Sequence, residues 1–391
     1  MKKTSTIIAV IVSILALFFP VVLVWLITAF AGLSLHFIVP LIGILLVVLI
    51  GFITFSISNK VFYKKTIILL SAVVLILIGT IVGENYYKHK YIPSITVEQR
   101  AQFSYQYVPF KKSENLAHLD SESYLKFTKG DKLPVVDGAT ALFPIYCSFV
   151  EAVYPSDCDI EEVVKFNKTT DAYKALIEGK DDIIFVAQPS KQQLAVAKEA
   201  GIEFNMYPIG YEAFVFIVNR KNPVDNLSLQ QIKDIYTGKI TNWKELGGKD
   251  QAIRPFQRDT NSGSQTAFIA VMGKDVELLP PETHQVSGMD GLIDVVSDYQ
   301  NHSNAIGYSF RYYVENMKTD INIKILKLNG IEATRENIRN KTYPITDNFY
   351  AITVKDRESE NTKRFIEWIL SEQGQELIEK VGYVSLESQN Q

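Results

Sequence analysis

The densest group of residues able to do chemistry is Arg258-Asp259-Thr260-Asn261-Ser262-Gly263-Ser264-Gln265-Thr266. It reads as a polar Gly/Ser loop running into a helix. A helix start leaves backbone N–H groups without intrahelical acceptors, and the helix dipole makes that end positive. Small residues there let an anion approach the backbone closely. Arg258 lies just upstream, and its planar guanidinium matches a tetrahedral oxyanion. The plainer alternative is a Ser N-cap with no ligand. A second junction has the same character. Leu133-Pro134-Val135-Val136-Asp137 reads as a short strand, and Gly138-Ala139-Thr140-Ala141 turns it into a helix carrying Pro144 in its first turn.

Catalysis finds no comparable support. The five histidines, His36, His89, His118, His284 and His302, share no metal-ligand spacing. There is no nucleophile elbow and no zinc signature. The expectation is therefore no catalytic residue, no metal and no cofactor. A net charge of −3 on 391 residues gives no support for nucleic-acid binding.

The elements that must position these loops alternate. Residues 171–179 read as a helix ending on Gly179, and 183–187 as a buried strand. Residues 191–200 read as a helix stopped by Gly201, and 213–218 as a continuous β run. Ser228 caps a helix through Tyr236, and Gly238 stops it. A helix follows the Arg258 loop, with another at 291–297, strands at 305–308 and 350–354, and terminal helices at 362–370 and 374–381. Alternation of this kind predicts an α/β protein with a mostly parallel sheet. In such sheets ligands sit beyond the carboxyl ends of strands, where both hydroxyl-tipped junctions fall.

The chain before this portion has a different composition. Residues 7–31, 37–57 and 66–82 are apolar runs, each about long enough to cross a bilayer. Lys2 and Lys3 precede the first run, and Lys60, Lys64 and Lys65 lie between the second and third, whereas Gly32 to His36 carries no Lys or Arg. The positive-inside rule then places the N-terminus in the cytoplasm and the rest of the chain outside. Lys88 and Lys90 are a small contrary signal, partly offset by Glu84. Residues 91–132 have little periodicity and read as a stalk or loosely packed lead-in. The two cysteines, Cys147 and Cys158, both fall in the outside portion. They could close a short loop through a disulfide, or be two unrelated thiols, with Cys147 in a predicted helix.

Several motifs, in order, carry a family resemblance: Asp137-Gly138-Ala139-Thr140, Pro208-Ile209-Gly210-Tyr211-Glu212-Ala213, Asp234-Ile235-Tyr236-Thr237-Gly238-Lys239-Ile240-Thr241-Asn242-Trp243, the Arg258 loop, Asn304-Ala305-Ile306-Gly307-Tyr308 and Tyr343-Pro344-Ile345. With these motifs the chain resembles the phosphate-binding proteins of ABC-type phosphate uptake systems. The resemblance runs over about residues 133–386. It implies the type II periplasmic-binding-protein fold, with lobe 1 at about 133–210 and 346–391 and lobe 2 at about 211–345. It also implies two crossings between the lobes and an inorganic oxyanion held in the cleft. Carried over by position, Thr140, the N–H of Ala141 and Thr169 would meet the anion from lobe 1. Arg258, Ser262, Gly263 and Ser264 would meet it from lobe 2.

One position departs from the pattern. The family has an Asp after the strand that here reads Ile183-Ile184-Phe185-Val186-Ala187-Gln188, and the position falls on Ala187 or Gln188. Gln188 could offer only a neutral hydrogen bond to the anion. The implied role is a membrane-anchored, outward-facing binding protein for phosphate or a related oxyanion, partnered with an ABC transporter permease. The alternative is a signalling or structural ectodomain that kept the fold and lost the ligand.

Overall fold

Gly138 ends the first described strand against a neighbour that leaves no space for a side chain: a Cβ there would lie 2.3 Å from the carbonyl oxygen of Phe185. That contact belongs to the parallel pair β1 (Val136–Gly138) and β2 (Ile183–Val186), in register Val136 to Ile183. The computed structural model describes residues 106–111, 115–273, 276–279, 304–317 and 322–386. The chain divides into two units, Met1–Lys88 and His89–Gln391, and every described residue belongs to the second. No helix among the described residues is long and apolar enough to cross a membrane. The three apolar runs of the N-terminus, and the helix expected at 291–297, lie outside those residues.

Among the described residues the α-helices longer than one turn are, in chain order, α1 (Phe143–Val153), α2 (Lys168–Glu178), α3 (Lys191–Glu199), α4 (Leu229–Tyr236), α5 (Gly263–Met272), α6 (Arg335–Arg339), α7 (Glu360–Leu370) and α8 (Glu372–Val381). The strands after β2 are β3 (Phe204–Asn219), β4 (Asn226–Leu227), β5 (Arg254–Pro255), β6 (Ala305–Phe310), β7 (Ile323–Ile325), β8 (Lys327–Leu328), β9 (Thr346–Val354) and β10 (Val384–Ser385). The main sheet runs β1-β2-β9-β3-β6-β5, with β10 and β7 also paired to β3, while β4 and β8 form a separate pair. Strand β3 is the spine. Its residues 204–213 pair with β9, and its residues 214–219 pair with β6 and β7. A bulge between Pro208 and Gly210 interrupts the first ladder, at a proline that has no N–H to give it.

The expectation of a mostly parallel sheet is corrected. Only β1–β2 and β5–β6 are parallel within the main sheet, and β9 and β3 pair antiparallel with every neighbour. The crossing strands impose this. β3 leaves lobe 1 for lobe 2 and β9 returns, so they must run in opposite directions. Residues 204–212 contain Pro208 and Gly210 and no continuous apolar run, so only the second half of β3 was readable as a strand.

Each lobe has its own core. In lobe 1, Phe149 packs on Phe185 and Trp368 at ring distances of 5.9 Å, with α1, α7 and α8 on this face of the sheet. Tyr173 and Leu176 of α2 cover Ile184, Val186 and Ile352 on the other face. Strand β2 is thus buried on both sides, as its unbroken Ile-Ile-Phe-Val run requires. In lobe 2, Phe268 of α5 stacks on Tyr308 of β6 with centroids 4.4 Å apart. Fully burying an aliphatic or aromatic side chain contributes roughly 1.5–3 kcal/mol, and such residues hold the strands that carry the loops.

One further expectation is corrected, and one open alternative is narrowed. The described part of the lead-in is not a loose stalk: Tyr107, Leu116, Leu125 and Phe127 are buried in the lobe 1 core, and Phe127 N donates to Val153 O at 2.9 Å. Its apolar residues are too widely spaced to show a period, yet each finds a site on a surface made by distant elements. Cys147 and Cys158 are both free thiols. Cys147 is wholly buried on α1, facing the lobe interior, while Cys158 is half-buried in the loop beyond that helix.

Candidate functional site

The carboxylate of Asp137 organises the lobe 1 side. It is fully buried, and it accepts hydrogen bonds from Gly138 N at 2.7 Å, Asn167 N at 2.9 Å and Asn167 Nδ2 at 2.9 Å. These bonds tie the end of β1 to the start of α2. Lys168 follows with φ of 69°, and Thr169 comes next, nearly buried. Thr140 begins the short 3-10 turn Thr140–Leu142 and is half-buried. Ala141 packs into the core of lobe 2, and its carbonyl accepts from Tyr383 Oη. The turn after β1 therefore faces the second lobe.

Asp137 is itself paired with an acid. Asp181 stands beside it with Oδ2 buried and without a hydrogen-bond partner among the described residues, and the two carboxyls shift each other's ionisation. Burial and then the charge of Asp137 push Asp181 up to about 7. Burial also raises Asp137, against the hydrogen bonds it accepts. With its oxygens occupied in this way, Asp137 serves as a brace for the turn and α2 rather than as a base.

On the lobe 2 side, Arg258 is 7% exposed. Its backbone N–H points at Gln265 Oε1 and Tyr308 Oη, both at 3.0 Å, and Gln265 Nε2 reaches back to Gln257 Oε1 at 3.2 Å. Tyr308 Oη also donates to Gln265 Oε1. Burial raises the Tyr308 phenol above its ordinary value and keeps it a neutral donor. Ser262 is the N-cap of α5, its Oγ accepting from Gln265 N at 3.2 Å. Ser264 Oγ, on a residue only 1% exposed, has no hydrogen-bond partner among the described residues. A buried hydroxyl without a partner costs on the order of 1–3 kcal/mol, so this atom marks a place where a polar ligand atom belongs.

The two sides meet at Gly263 and Thr169. A Cβ on Gly263 would lie 3.1 Å from Thr169 Oγ1. Only glycine lets the lobe 1 hydroxyl come this close to the first turn of α5. Thr169, Gly263 and Ser264 are thus brought together, with Ser262 and Arg258 on the same loop and the Thr140–Ala141 turn facing across. The set consists of hydroxyls, helix-start N–H groups and a guanidinium, all of them donors toward an anion. Gln188 is not engaged in the same way. It is exposed, and its Nε2 donates to Asp347 Oδ2 at 3.0 Å and to Tyr350 Oη at 3.5 Å. Ala187 offers no side-chain acceptor, and its carbonyl takes the Tyr173 hydroxyl at 3.0 Å. No group of His, Cys, Asp and Glu among the described residues is arranged to hold a metal.

The sequence reading missed the supports of the site: Asn167 below Thr169, Gln265 and Tyr308 behind Arg258, and Asp347 beside Gln188. Of these, Gln265 and Tyr308 lay within motifs that drew attention, but neither was assigned a supporting role.

A donor-lined seam between two lobes that share a crossing pair of strands defines a solute-binding protein with the type II periplasmic-binding fold. The chain belongs to the PBP superfamily, whose domain profile matches residues 129–373. A phosphate-binding protein PstS from Borreliella burgdorferi is 22% identical over 275 residues, covering 66% of this chain and 91% of that protein. One from Bacillus subtilis is 25% identical over 250 residues, covering 64% and 79% respectively. Among solved structures, a Clostridium perfringens protein assigned as a phosphate ABC transporter substrate-binding protein, with bound phosphate, is 31% identical with a TM-score of 0.53. The match covers 65% of this chain and all of that one. These relatives are binding proteins by name, not enzymes.

Proposed function

We propose that this chain is a substrate-binding protein for phosphate or a closely related inorganic oxyanion, held at the membrane by its N-terminus and serving an ABC transporter from the outer face. The observation that carries the reading is the convergence of Thr169 on Gly263 and the buried, unpartnered hydroxyl of Ser264, with Arg258 on the same loop. Phosphate binding by the named relatives supports the choice of ligand. The anchor rests on the three apolar runs and the lysine pattern around them. The alternative of a signalling or structural ectodomain draws on the absence of an acid at Ala187 and Gln188.

Titration calorimetry of the purified full-length protein with inorganic phosphate tests the binding. A saturable site of one phosphate per chain is expected, and no heat up to millimolar phosphate would favour the ectodomain reading. For topology, a phosphatase reporter that is active only when exported, fused after Tyr91, should be active. A reporter active only in the cytoplasm at that position would overturn the orientation.

A further inference from the structure

Asn261 stands immediately before the N-cap of α5, and among the described residues of lobe 2 it makes several side-chain and backbone hydrogen bonds to lobe 1. Its backbone is left-handed, with φ of 66°, a region that asparagine tolerates better than most side chains. Its Oδ1 accepts from Ser190 Oγ at 3.0 Å, and its Nδ2 donates to Gln192 Oε1 at 2.6 Å. Its carbonyl oxygen accepts from Thr170 Oγ1 at 3.2 Å and from Gln193 Nε2 at 3.5 Å. The partners are themselves fixed. Ser190 is the N-cap of α3, where it forms a reciprocal capping box with Gln193, and Thr170 follows Thr169 on α2. One residue therefore closes on the starts of two lobe 1 helices, beside the anion loop.

We propose that Asn261 is a positioning residue that clasps the lobes, so that part of the energy of closure comes from the protein itself rather than from the anion. The proposal rests on the reading of the Thr169–Ser264 seam as the phosphate site. Every bond of the clasp is protein to protein, so it favours the closed arrangement whether or not an anion is present. A ligand that needs the closed form binds with an apparent dissociation constant equal to the intrinsic one divided by the closed fraction. Removing the clasp should lower that fraction. It should therefore weaken phosphate binding and, because opening releases the ligand, act mainly on the rate of release.

Asn261→Gly separates the clasp from the backbone. Glycine keeps the left-handed conformation without strain and removes only the side chain. Gln192→Ala removes one partner from the other lobe and leaves the anion loop untouched. Two measurements on the full-length protein in nanodiscs decide the matter. The first is the spin–spin distance between labels at Lys198→Cys on lobe 1 and Lys249→Cys on lobe 2, in a Cys158→Ser background. The second is the rate of phosphate release by stopped flow. Without phosphate, Asn261→Gly should shift the distance distribution to longer values than the unmodified clasp gives, and saturating phosphate should restore the short one. Release should quicken by about threefold to thirtyfold with association little changed, as expected for losing two side-chain hydrogen bonds. Gln192→Ala should show a smaller change of the same kind. Distances and release rates equal to the unmodified protein in both variants would overturn the clasp. If no protein in the series binds phosphate, the ligand assignment fails, while the distances without phosphate still test the clasp.

Discussion

Replacing Gly263 by alanine asks whether the meeting of Thr169 with the start of α5 is where the anion is held. The new Cβ would lie 3.1 Å from Thr169 Oγ1 and 3.7 Å from Thr169 Cγ2. Non-bonded heavy atoms of this kind prefer roughly 3.5 Å or more, so the threonine hydroxyl must retreat by a few tenths of an ångström. The helix itself has no objection. Gly263 is not among the residues with positive φ, and alanine is the better helix former by up to about 1 kcal/mol. Stability and affinity should therefore part: the melting temperature holds or rises while phosphate binding weakens. If the retreat removes one charge-assisted hydrogen bond, the loss is about 1.5–3 kcal/mol, or roughly tenfold to a hundredfold in Kd. Calorimetry with phosphate measures it. A double variant supplies the control. Thr169→Ala alone loses the hydroxyl, and combining it with Gly263→Ala also removes the clash, so the pair should bind no worse than Thr169→Ala. An unchanged Kd in Gly263→Ala, or fully additive losses in the double variant, would refute the reasoning.

Arg258→Ala should weaken phosphate binding roughly tenfold to a few hundredfold with a cooperative melt retained, since a charge-assisted contact in a partly dry site is lost; equal affinity with a normal melt would place the pocket elsewhere. Asp181, held up to about 7 chiefly by burial and then by Asp137, is protonated more readily folded than unfolded. Its stabilisation is thus complete below the ordinary carboxylate range and is lost as pH rises through about 7. Asp181→Asn, whose amide can donate to Asp137 at any pH, should raise the melting temperature above pH 7 and flatten its pH dependence, and thermal melts from pH 5 to 9 check this. Ala187→Asp or Gln188→Asp should raise selectivity for phosphate over sulfate in competition binding, and strong exclusion of sulfate by the unmodified protein would count against that expectation.

The two hydroxyl-tipped junctions were legible because their chemistry is local. A strand ending in Asp137-Gly138 and a helix opening on Ser262-Gly263-Ser264 announce themselves within a few residues. The stop at Gly179 and the cap at Ser228 are of the same kind. What stayed hidden depends on partners far along the chain. Nothing near Asp137 says that Asn167 will fill its oxygens. Nothing near Asn261 says that Ser190 and Gln192 will meet it. The antiparallel crossing of β3 and β9 is likewise a property of the path between lobes, since either strand alone would read the same in a parallel sheet. The lead-in failed for a related reason. Leu116, Leu125 and Phe127 bury themselves singly against distant helices, and single contacts leave no period to read.

The position of the carboxylates bears most directly on what the site can distinguish. Hydrogen phosphate carries a proton that seeks an acceptor, whereas sulfate carries none. Around Thr169, Ser264 and Arg258 the protein offers donors. Asp137, the acid nearest in sequence to a lobe 1 contact residue, is turned to Gly138, Asn167 and Asp181, and so is withdrawn from the anion. The acid bonded to Gln188 is Asp347, whose Oδ2 takes the Gln188 amide and whose Oδ1 takes the N–H of Asn348 at 2.8 Å. Because Asp347 only accepts, it holds the amide nitrogen of Gln188 and leaves that side chain's oxygen for other donors. A neutral amide oxygen accepts a phosphate proton more weakly than a carboxylate does, and it adds no charge to repel a dianion. Phosphate loses a charge-assisted bond, and both anions escape a repulsion, so the net affinity for phosphate can move either way. Discrimination moves in one direction only, because neither Ala187 nor Gln188 supplies an acid that would favour the protonated ligand over the unprotonated one. If the unmodified protein excludes sulfate nonetheless, Asp347 becomes the acid to test, and Asp347→Asn should then abolish the exclusion.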